Sequence, residues 1–460
     1  MRCAITLTPH MPAGQVESMD VALTLTGLTR AAGGELIRAQ VETVTIPGCV
    51  PENVRIADDA GDAAFTTTES TPYPYKFLHY AVARELSGTV RIAYTVQPRP
   101  YCEGDRCGPY FDLKAEEGGV SSAGLSFLPE IEGCEGEITL HWDLSDCPAG
   151  ATGVCTFGEG DVSYTGHLDK LRQCYYIFGL VNTIGEGEFG FHWLTKPTFD
   201  VEAIAAYARD LFGRMSAFFR DDEKTYRIIM RKDPYPTSGG TALLRSYMFG
   251  WNDVQPVSVK DKQNILAHEM VHNWPSLNDH PYGITSWYSE GTAEFYCVML
   301  PFRMGLVSKE TTLQEIQTRA DNYYANPTRH LENIEAAKIC WQDRRAQRLP
   351  YGRGFFFLAN TDVKIRQATG GKCSIDDVVL DILDKGRNGV TLGNEVFLQT
   401  VKDISGVDVT ADWETMRTGG HIVPLDGCFD GHFTVTPKDM PEADTGVTVT
   451  GYAWAIKEAE

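Results

Sequence analysis

The stretch NILAHEMVHNW, Asn264 to Trp274, holds two of the chain's 11 histidines, with His268-Glu269 followed three residues later by His272. Ile265, Leu266, Met270 and Val271 supply apolar positions at helical spacing, and Pro275 marks an end. Four residues on an α-helix turn through about 400°, so both imidazoles face the same way. Two imidazoles at that spacing can share a zinc ion, and Glu269 can reach a metal-bound water. The bland alternative is two histidines placed on one helix by accident. The rest of the chain has to decide.

A catalytic zinc needs a third protein ligand and an open position. Downstream, ITSWYSEGTAEFYCVM reads as a second helix carrying Glu290 and, one turn later, Glu294. Glu290 completes a His2Glu set. Alone it would read as part of a solvated helix face. Metal-bound histidines donate their second N–H to a carboxylate, a role that Glu294 can fill. His280 falls in the polar loop LNDHPYG and is left outside the set.

The chain has 460 residues, enough for two or three domains. Hydrophobic residues make up 43% and charged residues 22%, a soluble, globular balance. A formal net charge of -21 argues against nucleic acid and anionic membranes as partners. No apolar run reaches the roughly 20 residues that span a bilayer. The start, MRCAITLTPHMPAG, alternates like a strand and lacks a long apolar core, so we expect no signal peptide and a cytoplasmic protein. The 12 cysteines are then expected as thiols, although Cys102 and Cys107 are spaced to bridge. No Cys-x-x-Cys pair points to a structural zinc ribbon.

Period-two alternation dominates the early chain. Val90, Ile92, Tyr94 and Val96 fall on one face of TVRIAYTV, and Ile138, Leu140 and Trp142 on one face of EITLHW, as in half-buried antiparallel strands. After WLTKPTFD the period changes: Ile204, Tyr207, Leu211 and Met215 recur at helical spacing. TYRIIMRKD reads as a strand, and from about Asp261 the chain is mainly helical, with a capping box at Ser374 and Asp377. The tail returns to alternation. The expected class is α+β: a β-rich N-terminal domain over 1–195, a mainly helical catalytic domain over 196–420, and a β-rich extension over 421–460.

HEMVHNW…WYSEGTAEFY resembles the gluzincin metallopeptidases. The aminopeptidase N family has a similar pattern, with its glutamate one residue further on. The tryptophan of HNW and the later stretch LPYGRGFFFLANTDVKIRQATGGKCSIDDVVLDIL more closely resemble the glycyl aminopeptidase family. That family starts this stretch with Tyr-x-Lys-Gly; here it is Tyr351-Gly352-Arg353-Gly354, with arginine for lysine. The resemblance runs from about Asp200 to Trp413, is weaker in the β-rich N-terminal region, and does not extend to the PDZ domain the family often adds. It implies a thermolysin-like catalytic fold, one zinc per chain, a peptide substrate, Glu269 as general base and Tyr351 as hydrogen-bond donor to the oxyanion. On its residues alone, Tyr351 reads as a half-buried aromatic at a helix start.

SGGTALLRSY occupies the place of the family's Gly-Gly-x-Glu-His segment. Gly239 and Gly240 suit a backbone that approaches a bound peptide. The family's amine-binding glutamate is missing, since the matching positions are Ala242 and Leu243. The expected function is therefore an aminopeptidase-like zinc hydrolase of short peptides. The alternatives are an endopeptidase, a hydrolase of N-blocked peptides, or a catalytically silent peptide-binding protein. No oligomeric state is read from the sequence.

Overall fold

The computed structural model describes residues 1–44, 46–100, 108–185, 187–234 and 239–458. The pair Cys102 and Cys107 lies outside these residues. The chain packs as two compact units, one of residues 1–209 with 223–262 and one of 210–222 with 263–460. The borders at 195/196 and 420/421 are kept as a proposal for the domain limits.

The first unit is built of strands. In a seven-stranded sheet, Arg2–His10 lies between Ser18–Thr26 and Glu135–Trp142. Thr89–Val96 lies in the same sheet and buries Val90, Ile92, Tyr94 and Val96, the face its alternation predicts. Most pairs are antiparallel, but Arg2–His10 runs parallel to Glu135–Trp142. Alternation reports which face is buried, not strand direction, so this parallel pair was not readable.

A five-stranded mixed sheet also belongs to this unit. Its middle strand, Tyr226–Lys232, lies parallel to Phe189–Trp193 on one side and to Ser246–Trp251 on the other. Tyr226–Arg231 is buried on both faces, which explains why Ile228, Ile229 and Met230 follow one another without alternation. Gly240–Leu243 is the edge strand, paired only with Ser246–Trp251 among the described residues.

The second unit is mainly helical. The motif helix Val259–Val271 leads into it, followed by a glutamate helix, Ser286–Arg303, a third helix, Lys309–Tyr324, and a tyrosine helix, Leu349–Thr369. Helix Ile375–Arg387 starts with the capping box of Ser374 and Asp377. The expected β-rich tail is a two-stranded hairpin, Phe433–Pro441 with Thr448–Ile456, packed on helix Lys309–Tyr324. No helix among the described residues is long and apolar enough to cross a membrane.

Candidate metal and peptidase centre

The motif helix ends at Val271, with His272 just beyond its last turn. Backbone bonds from Asn273 to Met270 (3.1 Å) and from Trp274 to Val271 (3.0 Å) keep that turn tight. Trp274 anchors it: its ring stacks on Phe219 at 4.6 Å, and its Nε1 donates to Asp221 at 2.6 Å. The two imidazoles therefore converge, with Nε2 atoms 3.3 Å apart.

The glutamate helix brings a carboxylate to the same point. Glu290 Oε2 lies 3.4 Å from His268 Nε2 and 3.7 Å from His272 Nε2. That oxygen is buried and has no well-formed hydrogen bond among the described residues. Burial opposes charge on Glu290, but His272 and His268 outweigh it and hold the carboxyl below its usual range. Burial lowers His272 to about 4. Burial also opposes charge on His268, yet Cys297, Glu290 and Glu294 together raise it well above its usual value. Two imidazoles and a carboxylate thus converge on one point. An orphaned oxygen facing two ring nitrogens fits a zinc ion in the way this donor set requires.

A second group, His268, Glu294 and Cys297, is also close enough to hold a cation. That side is already served by a guanidinium. Arg319 pairs with Glu294, and it also reaches Glu315 at 2.7 Å, Asn264 at 3.1 Å and the Cys297 sulfur at 3.3 Å. His268 Nδ1 lies 3.1 Å from Glu294. Burial opposes the charge on Glu294 too, but Arg319 and His268 lower it to about 2. A carboxylate on Nδ1 fixes the ring's orientation and leaves Nε2 facing Glu290. Arg319 was not singled out in the sequence. Its spacing from Glu315 looks like a surface helix pair, whereas its side chain is only 10% exposed.

Glu269 is buried beside His268 on the motif helix. Tyr351, in the first turn of the tyrosine helix, lays its ring parallel to that of His268 with centroids 5.6 Å apart. Burial raises its phenol well above the ordinary range; Glu290 and Glu269 add to this, and Arg348 opposes it. Tyr351 therefore keeps its proton. A cavity of about 70 Å³ opens beside Glu290 and Tyr351, walled by Ala336, Ala337, Cys340 and Trp341. Trp341 Nε1 donates to the Tyr282 hydroxyl at 2.9 Å across it.

Gly239 and Gly240 lie in the first unit. Gly239 has a left-handed φ of +58°, and a Cβ on Gly240 would meet the Tyr247 ring at 2.2 Å. The left-handed turn favours glycine at 239, and the Tyr247 ring leaves no room for a Cβ at 240.

Residues 261–350 match the M61 glycyl aminopeptidase family. That match spans the motif helix, the glutamate helix and the chain up to the residue before Tyr351. No curated protein sequence matches the chain. Among solved structures it resembles an aminopeptidase N family protein from Idiomarina loihiensis, with a TM-score of 0.73 at 13% identity over 97% of this chain and 81% of that one. It also resembles an M1 zinc metallopeptidase from Deinococcus radiodurans, a variant bound to Tyr-Ser-Ala, with a TM-score of 0.58 at 15% identity over 92% of this chain and 95% of that one. Yeast leukotriene A4 hydrolase has a TM-score of 0.57 at 13% identity, over 93% and 69% of the two chains. At such identities these likenesses speak for the fold alone: a β-rich N-terminal part followed by a helical part.

Proposed function

We propose that this chain is a gluzincin metallopeptidase that hydrolyses peptide bonds in short peptides, with one zinc per chain held by His268, His272 and Glu290. The observation that carries the reading is the buried, orphaned Glu290 oxygen facing both Nε2 atoms. Bound zinc supplies Lewis acidity, which polarises a carbonyl and makes water nucleophilic at neutral pH.

The chain's own groups do the rest. Glu294 holds the Nδ1 proton of His268 and so directs Nε2 inward. Glu269 takes the proton from the attacking water and returns it to the departing amine. Tyr351 keeps its phenolic proton and donates a hydrogen bond as negative charge develops on the carbonyl oxygen. The small cavity suits one modest side chain rather than a whole ligand, for which several hundred Å³ would be usual.

A tripeptide is the ligand of one structural relative, which favours short peptides here as well. A second reading, cleavage of blocked peptides or within longer ones, is favoured by Ala242 and Leu243, which stand where the related family has its amine-binding glutamate. Elemental analysis tests the metal set. We expect one zinc per chain in the purified protein and its loss in His272→Ala. Unchanged metal content in that variant would remove these residues as the ligands.

A further inference from the structure

Just before the tyrosine helix, Arg344 and Arg348 stand one turn apart, and both are exposed. Like charges at this spacing repel. Their neighbour Arg345 is neutralised by Asp343 at 2.8 Å and Asp444 at 3.1 Å. Neither Arg344 nor Arg348 forms an ion pair among the described residues. Instead, the Arg348 guanidinium lies over the Tyr351 ring, 5.0 Å from its centroid. The other neighbour of that ring is His268. Arg348, Tyr351 and His268 therefore form a row that leads from solvent to the candidate metal set.

This placement matters because the chain carries a net charge of -21, and Glu269 and Glu290 add negative charge at the centre. An acidic peptide approaching such a protein is repelled unless a local cation offsets the field. An unpaired guanidinium presents a planar fork that fits a carboxylate with two hydrogen bonds. Extended peptide advances roughly 3.3 Å per residue. Arg348 thus lies within one or two residues' reach of a bond cleaved beside Tyr351.

We propose that Arg348, assisted by Arg344, anchors a carboxylate of the substrate one or two residues from the scissile bond. The carboxylate is either the peptide's own C-terminus or an acidic side chain. The assignment rests on the peptidase reading given above.

Matched peptide twins test it. One pair differs only in a free or amidated C-terminus. A second, amidated pair differs only in Glu or Gln beside the scissile bond. Equilibrium binding is measured on zinc-loaded protein carrying Glu269→Gln, which should not turn the peptides over, and kcat/KM is measured on the wild type. We expect one carboxylate twin to bind about five- to tenfold more tightly than its neutral partner at low salt, with the ratio shrinking as salt is added. Adding Arg348→Gln should bring the ratio close to one, whereas Arg348→Lys should keep part of it. The pair that responds identifies the carboxylate's source. Equal binding of all twins, no binding by any, or a preference that survives Arg348→Gln would overturn the anchor. An Arg348-dependent binding ratio in a wild-type protein that cleaves none of the peptides would overturn the peptidase reading and leave the anchor standing.

Discussion

At the scale of single residues, the centre separates groups by what they touch. His268, His272 and Glu290 face one another, whereas Tyr351 lays its ring on His268 and feels the charges of Glu290 and Glu269. Replacing Glu269 by Gln keeps shape and volume but removes the group that accepts a proton. We expect Glu269→Gln to retain zinc and fold while kcat falls by about 10²–10⁴. Metal analysis and steady-state kinetics on one preparation check both halves. Near-normal turnover would mean that another base serves the reaction. The core of this constellation was legible because its members share two helices, where spacing in sequence becomes direction in space. Arg319 and Arg348 were not legible. An arginine on a helix looks solvated until the fold shows that one is buried behind Glu294 and the other lies on Tyr351.

At the scale of elements, the glutamate and tyrosine helices are set by a close crossing of two glycines. A Cβ on Gly354 would lie 1.9 Å from the Trp287 carbonyl oxygen, and one on Gly291 would lie 2.4 Å from Gly354 Cα. Helix axes ordinarily pack 8–10 Å apart, and small residues at the contact allow the nearest approach. Gly291 follows Glu290, and Gly354 lies one turn after Tyr351, so this crossing sets the distance between ligand and donor. The sequence displayed both glycines in SEGTAEF and YGRGFFF, but a helical glycine alone does not name its partner. Gly354→Ala should push the helices apart and cost about 1–3 kcal/mol of stability. It should also lower zinc affinity, although residue 354 touches no metal ligand. Unchanged denaturant midpoint and metal affinity would mean that the crossing gives way without moving the site.

A second element carries its own pH dependence. His192, on strand Phe189–Trp193, is fully buried; its Nδ1 lies 3.0 Å from the Thr183 hydroxyl, and its Nε2 has no hydrogen bond. Burial, with Arg227 nearby, lowers it to about 3. Its unfolded value is about 6.5. A folded value below the unfolded one means that the neutral ring stabilises the fold above about pH 6.5, and that this contribution drains away as pH falls toward 3. His192→Gln cannot titrate. The stability gap between wild type and variant should therefore narrow on acidification below about pH 6.5. Comparing unfolding free energies pairwise cancels metal loss and the other carboxylates. A gap that stays constant with pH would mean that His192 does not titrate on unfolding.

At the scale of the whole molecule, the two units supply different kinds of chemistry. The helical unit holds every residue of the candidate metal set, together with Glu269 and Tyr351, whereas the strand-built unit holds the edge strand with Gly240. An α-amino group with a pKa near 7.7–8.0 is charged at neutral pH. Removed from water in a cleft, it needs a carboxylate or several acceptors. Edge strand Gly240–Leu243 brings Ala242 and Leu243, which have no side-chain acceptor, where the related family has a glutamate. We therefore expect this enzyme to discriminate less between free and N-acetylated peptides than a glycyl aminopeptidase that retains that glutamate. The measurement is kcat/KM on matched free and acetylated substrates. A preference for the free amine above about 10³-fold corresponds to roughly 4 kcal/mol. Such a preference would require a carboxylate anchor supplied from elsewhere in the chain and would refute the expectation. Comparable rates on both forms would favour cleavage of blocked or longer peptides, whose binding does not draw on the substrate's amine.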